Sequence, residues 1–294
     1  MPQSPPLDVD VVVVAYNSSA TLRDCVVELA NAPELHVIVV DNASSDDSAS
    51  TVRDLDVHVI EAGSNGGFAS GCNLGAAAGT SRHVLFLNPD ARIDLESIQV
   101  LARAASGDDN GASAPRIVSS SGELEYSQRR FPKVVSTYAQ GLYLHRLFRH
   151  AAWTDEVVRD DAFYARPQSP DWVSGACLLV ERSVFEQVGG WDERFFMYSE
   201  DTDLCRRIRA AGYDIRFDPS ATAAHIGGQS SPRARLLPLL ATSRARYATK
   251  HSGRVKAPLM RGGIAVSALT HMVLARRKDV RAGHAKALRA VLRG

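Results

Sequence analysis

The chain has 294 residues, 45% of them hydrophobic and 23% charged, with a formal net charge of +1. This length can bury a large core without staples and allows one large α/β domain with an appendage, or two domains. The balanced charge offers no global field for nucleic acid, and four scattered cysteines (Cys25, Cys72, Cys177, Cys205) form no CxxC pair. With no signal-like N-terminus, that pattern points to a reducing cytoplasm rather than a disulfide or zinc framework.

Met1 to Leu7 is Pro-rich and reads as a loose lead-in. Val9 to Ala15 (VDVVVVA) is a continuous β-branched run, the mark of a strand buried on both faces. Ser18 or Ser19 can cap a helix from about Ala20 to Asn31, ended near Pro33. His36 to Val40 is a second buried strand, ending in the loop Asp41-Asn42-Ala43-Ser44-Ser45-Asp46. Val57 to Ala62 is a third, followed by Gly-rich Gly63 to Gly67 and a small-residue helix from Phe68 to Gly79. His83 to Leu87 is a fourth, stopped by Asn88-Pro89-Asp90, and Asp94 opens the next helix. This alternation predicts a mostly parallel sheet covered on both faces.

The middle, about Ser119 to Pro170, is less regular, with a helix expected near Val134 to Arg149. Ala176 to Val180 resumes the sheet, a helix follows near Ser183, and Glu200 to Ala211 is another, with Ser199 as its expected N-cap. Ile215 to Phe217 is a short strand, and from Pro232 the chain reads as helical and increasingly basic. The longest weakly polar run, Gly262 to Ala275, holds 14 residues. A span needs about 20 apolar residues, so no transmembrane helix is expected.

In open α/β sheets ligands bind beyond the carboxyl ends of the strands. Tyr16-Asn17, Asp41 and Asp90 all stand at such ends. Each alone can be a turn or a helix cap; together they suggest a site. The first strand ends without a glycine, which excludes a GxGxxG dinucleotide site, and a P-loop is also missing. Pro89 ends its strand and holds Asn88 extended, fixing Asn88 and Asp90 at the mouth of the sheet, where a hard cation finds oxygen ligands.

Ser199-Glu200-Asp201-Thr202-Asp203-Leu204 offers three acids at one helix start, which the positive helix end alone can explain. Helical phase separates them. Leu204, Ile208 and Ala211 form the apolar stripe, and Asp201, three and seven residues before the first two, shares their face. Asp201 should point inward, either paired or functional, with its pKa raised toward the range of a general base. Asp203 falls among the arginines, as a solvated or Arg-paired acid. His225, shortly before Gly227-Gly228, is a structural histidine or a ligand; Trp191 is a core residue or a sugar platform.

These pieces resemble a known pattern. VVVVAYNS, VIVVDNASSD, NGGFASGCN, VLFLNPDA, SGACLLVERSVFEQVGGWDERFFMYSEDTDLCRRIRAAGY and DPSATAAH, in this order, are similar to family 2 glycosyltransferases of the GT-A fold, and most to the bacterial rhamnosyltransferase subgroup. The resemblance runs from about Val9 to His225. It implies an α/β GT-A domain over 1–230, with a Rossmann-like nucleotide-sugar half at about 8–118 and an acceptor-side half at about 119–230. A basic helical extension over 231–294 follows.

It also implies roles. Ala15, Tyr16 and Asp41 form the nucleoside pocket, the Asp41 carboxylate accepting from the ring N–H of uracil or thymine. Asn65 and Asn73 line the same cleft. Asn88 and Asp90 stand in the DxD-type motif, with Asn88 replacing the usual first acid. Asp90 and His225 hold a divalent metal, Mg2+ or Mn2+. Trp191, Asp192 and Glu200 lie on the acceptor side, and Asp201 is the base of an inverting, single-displacement transfer. The donor best matching the subgroup is dTDP-L-rhamnose; a UDP-sugar fits the same pocket. The acceptor class is a polyprenyl-diphosphate-linked saccharide or a cell-envelope glycan. A nucleotide-sugar-binding protein without turnover is the alternative, favoured only by Asn88.

From Arg254 to Gly294 ten Lys or Arg face one acid, Asp279, among apolar residues. This reads as basic amphipathic helix for an anionic membrane surface, or as a solvated face or a homo-oligomer contact. The location expected is cytoplasmic, at the inner face of the cell membrane.

Overall fold

The computed structural model describes residues 7–107, 109–148, 151–225 and 233–293. Met1 to Pro6, Arg149, Gly227-Gly228 and Pro232 lie outside the described residues. The elements run β1 (Val9–Ala15), α1 (Leu22–Ala30), β2 (Leu35–Asp41), a 3-10 turn (Ala49–Val52), β3 (His58–Glu61), α2 (Phe68–Ala77), β4 (His83–Leu87), β5 (Ala91–Ile93), α3 (Leu95–Ala105) and β6 (Asn110–Ser119). Then come β7 (Leu124–Glu125), β8 (Gln128–Arg129), α4 (Val134–Gly141), α5 (Leu144–Leu147), α6 (Asp161–Tyr164), β9 (Trp172–Val173), β10 (Cys177–Glu181), α7 (Arg182–Gln187), α8 (Glu200–Ala210) and β11 (Asp214–His225). The chain closes with α9 (Arg233–His251), α10 (Gly253–Leu274) and α11 (Lys278–Arg293).

β1 is buried along its whole length because it feeds two cores. Val9, Val11 and Val13 pack with Leu22, Val26 and Leu29 of α1 and with Ile98 and Leu101 of α3. Val12 and Val14, pointing the other way, pack with α2 and with Leu204 and Ile208 of α8. Fully burying a valine contributes about 1.5 kcal/mol or more, so this strand anchors the sheet. The small residues of α2 have a steric reason. A Cβ on Gly75 would stand 2.4 Å from the Val12 side chain, so the helix lies too close to β1 for anything larger.

The sheet order is β3-β2-β1-β4-β10-β6-β11-β5, with β7 beside β6. From β3 to β4 it is parallel, as the alternation predicts. Beyond β4 it is mixed. β10 enters antiparallel to both β4 and β6, and β11 is parallel to β6 but antiparallel to β5. The mostly parallel expectation thus holds for the first half only. β10 is fed by the irregular middle rather than by a single crossover helix, so nothing forces it parallel. β11 runs 12 residues, far longer than the short strand expected, because it pairs along β6 past the register shift at Asp218/Thr222.

One capping expectation fails and a second holds in position only. Ser18 and Ser19 do not cap α1: Thr21 holds the cap position, and the Ser18 carbonyl, not its hydroxyl, accepts from Thr21 and Leu22. Ser199 holds the cap position of α8, but with φ of 65° its hydroxyl makes no cap bond. Asp94 does cap α3, accepting from the Ser97 N–H at 2.7 Å. All four cysteines are buried and unbridged.

The C-terminal helices share a small core of their own, Ala241, Ala245, Ile264, Ala268, Ala287 and Val291. All but the last residue of the 14-residue run lie in α10, which has 22 residues and meets the length and composition of a membrane span. Ala257, Met260, Gly263, Ile264 and Ala268 of that helix are nevertheless buried inside the protein. Val255, Leu259, Leu269 and Val273 are exposed on it.

Candidate active site

Strand register brings the polar ends together. Ala15 pairs with Asp41, and Val13 with Leu87, so the residues after β1, β2 and β4 share one rim. β10 runs the other way with Cys177 opposite Leu87, which puts its start on the same rim, where the Asn88 N–H donates to the Ala176 carbonyl at 2.9 Å.

At the β2 end Asp41 is 9% exposed. Its Oδ2 accepts from the Ser44 N–H at 3.3 Å, but Oδ1 is buried with no partner among the described residues. A buried carboxylate oxygen without a donor is costly, and a ligand N–H would satisfy it. Ala15 is fully buried, and Tyr16 beside it is 41% exposed. Asn17, at φ 52°, ties the two loops, its Oδ1 accepting from the Ser45 N–H at 2.8 Å.

Asn65 and Asn73 act within the fold. Asn65 Oδ1 accepts from Asn42 Nδ2 at 3.1 Å and from the Gly67 N–H at 3.0 Å, folding the Gly-rich loop on itself. Gly67 must be glycine: φ is 88°, and a Cβ would stand 2.3 Å from the Phe196 carbonyl oxygen. Asn73 donates from Nδ2 to the Trp191 carbonyl and accepts at Oδ1 from the Trp191 N–H, both at 2.9 Å. It fixes the loop that carries Trp191 and Asp192.

Asp90 and His225 meet because β11 pairs with β5, His225 opposite Ala91. His225 Nε2 lies 3.3 Å from Asp90 Oδ1 and 3.4 Å from Asn88 Nδ2; Nδ1 lies 3.2 Å from Glu125 Oε2. The hydrogen bond to Asp90 raises the imidazole pKa, burial opposes it, and Glu125 adds to the rise. Glu125 escapes sequence reading, since an acid in an irregular stretch carries no signal until β7 folds onto β6.

Two ligands at right angles around a cation, each about 2.1–2.2 Å away, stand about 3 Å apart. The Asp90–His225 spacing fits that. No group of three His, Cys, Asp or Glu among the described residues is arranged to hold a metal. A cation here would therefore complete its shell with phosphate oxygens and water.

Asp201 opens α8 half-buried. Its Oδ2 accepts from the Gly175 N–H at 3.2 Å and its Oδ1 from the Thr202 N–H at 2.7 Å. Gly175 lies two residues before β10, so the carboxylate is tied to the same rim as Asn88. Burial raises its pKa, while the Thr202 and Gly175 bonds and the Arg129 charge pull it down. Tyr198 and Ser199 before it both have positive φ, 69° and 65°. Non-glycine residues rarely adopt this, and functional sites hold such strain. Glu200 is 8% exposed, and its Oε2 has no partner among the described residues. Burial, then the Asp201 charge, raise its pKa.

On this side the structure decides between two pairs of alternatives, core for Trp191 and Arg-paired for Asp203. Trp191 is 2% exposed, edge-on to Phe68 and Phe86 at 5.6 and 5.1 Å between ring centroids. It is a core residue with no face open to a sugar. Asp203 is not solvated: it is 0% exposed and paired with Arg207 at 2.8 Å, Lys250 at 2.6 Å and His251 at 2.7 Å. The end of α9 covers the helix face that phase alone leaves to solvent. Asp192 is held by Arg194 and Lys250, each at 2.6 Å, and these bonds push its pKa far down.

Comparison with known proteins agrees with this architecture. The family described as glycosyl transferase family 2 matches residues 10–189, and glycosyl transferase family group 2 matches 130–249. An N-acetylglucosaminyl-diphospho-decaprenol L-rhamnosyltransferase of Mycobacterium tuberculosis is 33% identical over 87% of this chain and 90% of its own. Rhamnosyltransferase WbbL of Escherichia coli is 27% identical over 49% of this chain and 52% of its own. In fold, the chain resembles mannosyltransferase PcManGT of Pyrobaculum calidifontis, solved with GDP-Man and Mn2+, with a TM-score of 0.58, 18% identity, and coverage of 100% and 77%. The chain is a GT-A glycosyltransferase of rhamnosyltransferase-like type and belongs to glycosyl transferase family 2.

Proposed function

We propose that the protein transfers L-rhamnose from dTDP-L-rhamnose to a hydroxyl of a polyprenyl-diphosphate-linked saccharide, with inversion. The observation that carries the donor half is the buried, unpartnered Asp41 Oδ1. Thymine presents one ring N–H between two carbonyls, and this oxygen accepts it. The acceptor class rests on the name of the mycobacterial relative.

In this reading Asp201 takes the proton of the acceptor hydroxyl. The hydroxyl oxygen attacks the anomeric carbon from the face opposite the diphosphate, and the bond to the diphosphate oxygen breaks with its electron pair leaving on the nucleotide. Asp90 and His225 would hold a divalent cation, Mg2+ or Mn2+, which supplies charge neutralisation on the departing diphosphate when bound. Tyr16 borders the base, and Asn65 and Asn73 shape the cleft through the loops they fix. Residues 1–230 form the catalytic unit and 231–294 an extension.

A thermal-shift screen of nucleotide sugars with and without Mn2+ tests the donor. A ligand at a hundred times its Kd adds about 2.7 kcal/mol, several degrees for a chain of this size. dTDP-L-rhamnose with Mn2+ should give the largest rise, and Asp41→Ala should remove most of it. A UDP-sugar in first place would replace the donor but keep the pocket; a purine nucleotide sugar in first place would overturn both.

The extension is read as a membrane contact. Val255, Leu259, Leu269 and Val273 are exposed along α10, and Arg254, Lys256, Arg276, Arg277 and Lys278 flank them. Apolar side chains beside basic ones suit an anionic bilayer surface. The full chain should pellet with phosphatidylglycerol vesicles, and V255S/L259S/V273S should not. Equal pelleting would reject this face.

A further inference from the structure

Several arginines around the site are paired within the fold. Arg207 pairs with Asp203, Arg209 with Asp214, Arg182 with Asp10 and Arg244 with Glu156. Arg129 has no ion pair among the described residues, and its Nε is buried without a hydrogen-bond partner. Ser127 Oγ, two residues earlier, is also buried and unpartnered. Asp201 and Glu156 are near enough to feel the Arg129 charge, but neither pairs with it directly, so its orphaned N–H keeps donor capacity for a bound anion.

The place of Arg129 says which anion. It lies in β8 opposite Trp172, and its guanidinium carbon stands 5.5 Å from the centre of the Trp172 ring. β9 continues from Trp172 into Ser174, whose N–H donates to the Ser127 carbonyl at 3.1 Å, and Gly175, whose N–H holds Asp201. β8 and Asp201 are therefore bound to the same five-residue stretch, Trp172 to Ala176, on the acceptor side of the rim. Asp90 and His225, the positions read as holding the donor diphosphate, are reached through other strands, β5 and β11. In a saccharide carried on a diphosphate, the anionic group is attached to the sugar that presents the hydroxyl, or to its neighbour.

We propose that Arg129, assisted by Ser127, binds the phosphate attached to the acceptor saccharide and so selects diphosphate-linked acceptors over neutral ones. This rests on the reading of Asp201 as the base and of a lipid-diphosphate acceptor. A planar guanidinium stacked on an indole keeps its N–H edge fixed and matches phosphate oxygens in pairs. Arg129 is here a binding residue for specificity.

The test has two parts. Geranyl diphosphate is titrated onto the full chain in EDTA with saturating dTDP, which blocks the donor-side anion position. Wild type should bind it, R129Q should bind roughly 10- to 100-fold more weakly, and R129K should fall between, with melting temperatures checked for all three. Kinetics are then compared, on the pH plateau, for one saccharide as its geranyl diphosphate ester and as a neutral octyl glycoside. R129Q should raise KM for the diphosphate at least about tenfold more than for the glycoside. No binding to wild type, equal binding by R129Q, or equal losses on both acceptors would overturn the assignment. Arg129-dependent binding in a protein that transfers to no diphosphate-linked saccharide would leave the anion site standing and sink the acceptor reading instead.

Discussion

Asp201→Asn lowers kcat by roughly 10²–10⁴-fold, the usual contribution of a positioned general base. Nucleotide affinity, measured by titration, stays at the wild-type value. The substitution is isosteric, but Gly175 and Thr202 donate to different carboxylate oxygens, so the single amide oxygen keeps only one of these bonds. An unchanged melting temperature for D201N shows that the fold survives and the proton acceptor is what is lost. Three other acids lie near enough to be considered. Asp192 is held far below the usual carboxylate range by Arg194 and Lys250, which makes it a poor base. Asp203 is closed in by Arg207, Lys250 and the His251 ring. Glu200 is buried, and burial favours its protonated form. Asp201 alone is half-open with a raised pKa. A base works ionised, so kcat/KM falls as pH drops through that raised value, and the acid limb lies above the ordinary aspartate range. Removing Arg129, which lowers the Asp201 pKa, should move the limb to higher pH. Wild-type turnover by D201N would remove Asp201 from the chemistry.

How much of this was legible beforehand follows from the range of the signals. β1 and β4 are read to the residue, because a β-branched run buried on both faces has no other home. The phase of α8 sets Asp201 inward and Asp203 outward, whereas Asp203 is fully buried and Asp201 is half-exposed. Phase cannot say what covers the far side, and α9, which begins more than 20 residues later in the sequence, buries Asp203. The antiparallel entry of β10 escapes for a similar reason: hydrophobicity gives a strand its burial, not its direction. Glu125 and Arg129 carry no local pattern, and they become visible only when short strands bring them to His225 and to the Asp201 rim. Trp191, after Gly189-Gly190, reads equally as core or platform until Phe68 and Phe86 are seen to close on it. Asp90 and His225, 135 positions apart, are joined only by the β5–β11 pairing.

Asp203→Ala should cost about 3–5 kcal/mol of stability, the penalty for leaving buried charges without their partner. The carboxylate joins α8 to the end of α9, through Arg207 on one oxygen and Lys250 with His251 on the other. Its loss leaves Arg207 and His251 without this partner, and among the described residues Lys250 keeps Asp192 as its ion pair. Urea denaturation of D203A, K250A and the double variant measures the coupling. The double variant should be less unstable than the sum of the single ones, and strict additivity would dismiss the network. The pH dependence has a fixed sign. Burial alone would raise the Asp203 pKa, but His251, Lys250 and Arg207 bring it below the usual value. The stabilisation is therefore full above the unfolded pKa of about 3.9 and is lost as pH falls through the lower folded value. D203N should lack that acid-side loss. A drop in transfer rate in D203N, at a pH where it stays folded, would mean that the extension sets the position of Asp201. The mechanical reason is short: Asp203 is two residues along the same helix, and whatever holds α9 in place also fixes the start of α8.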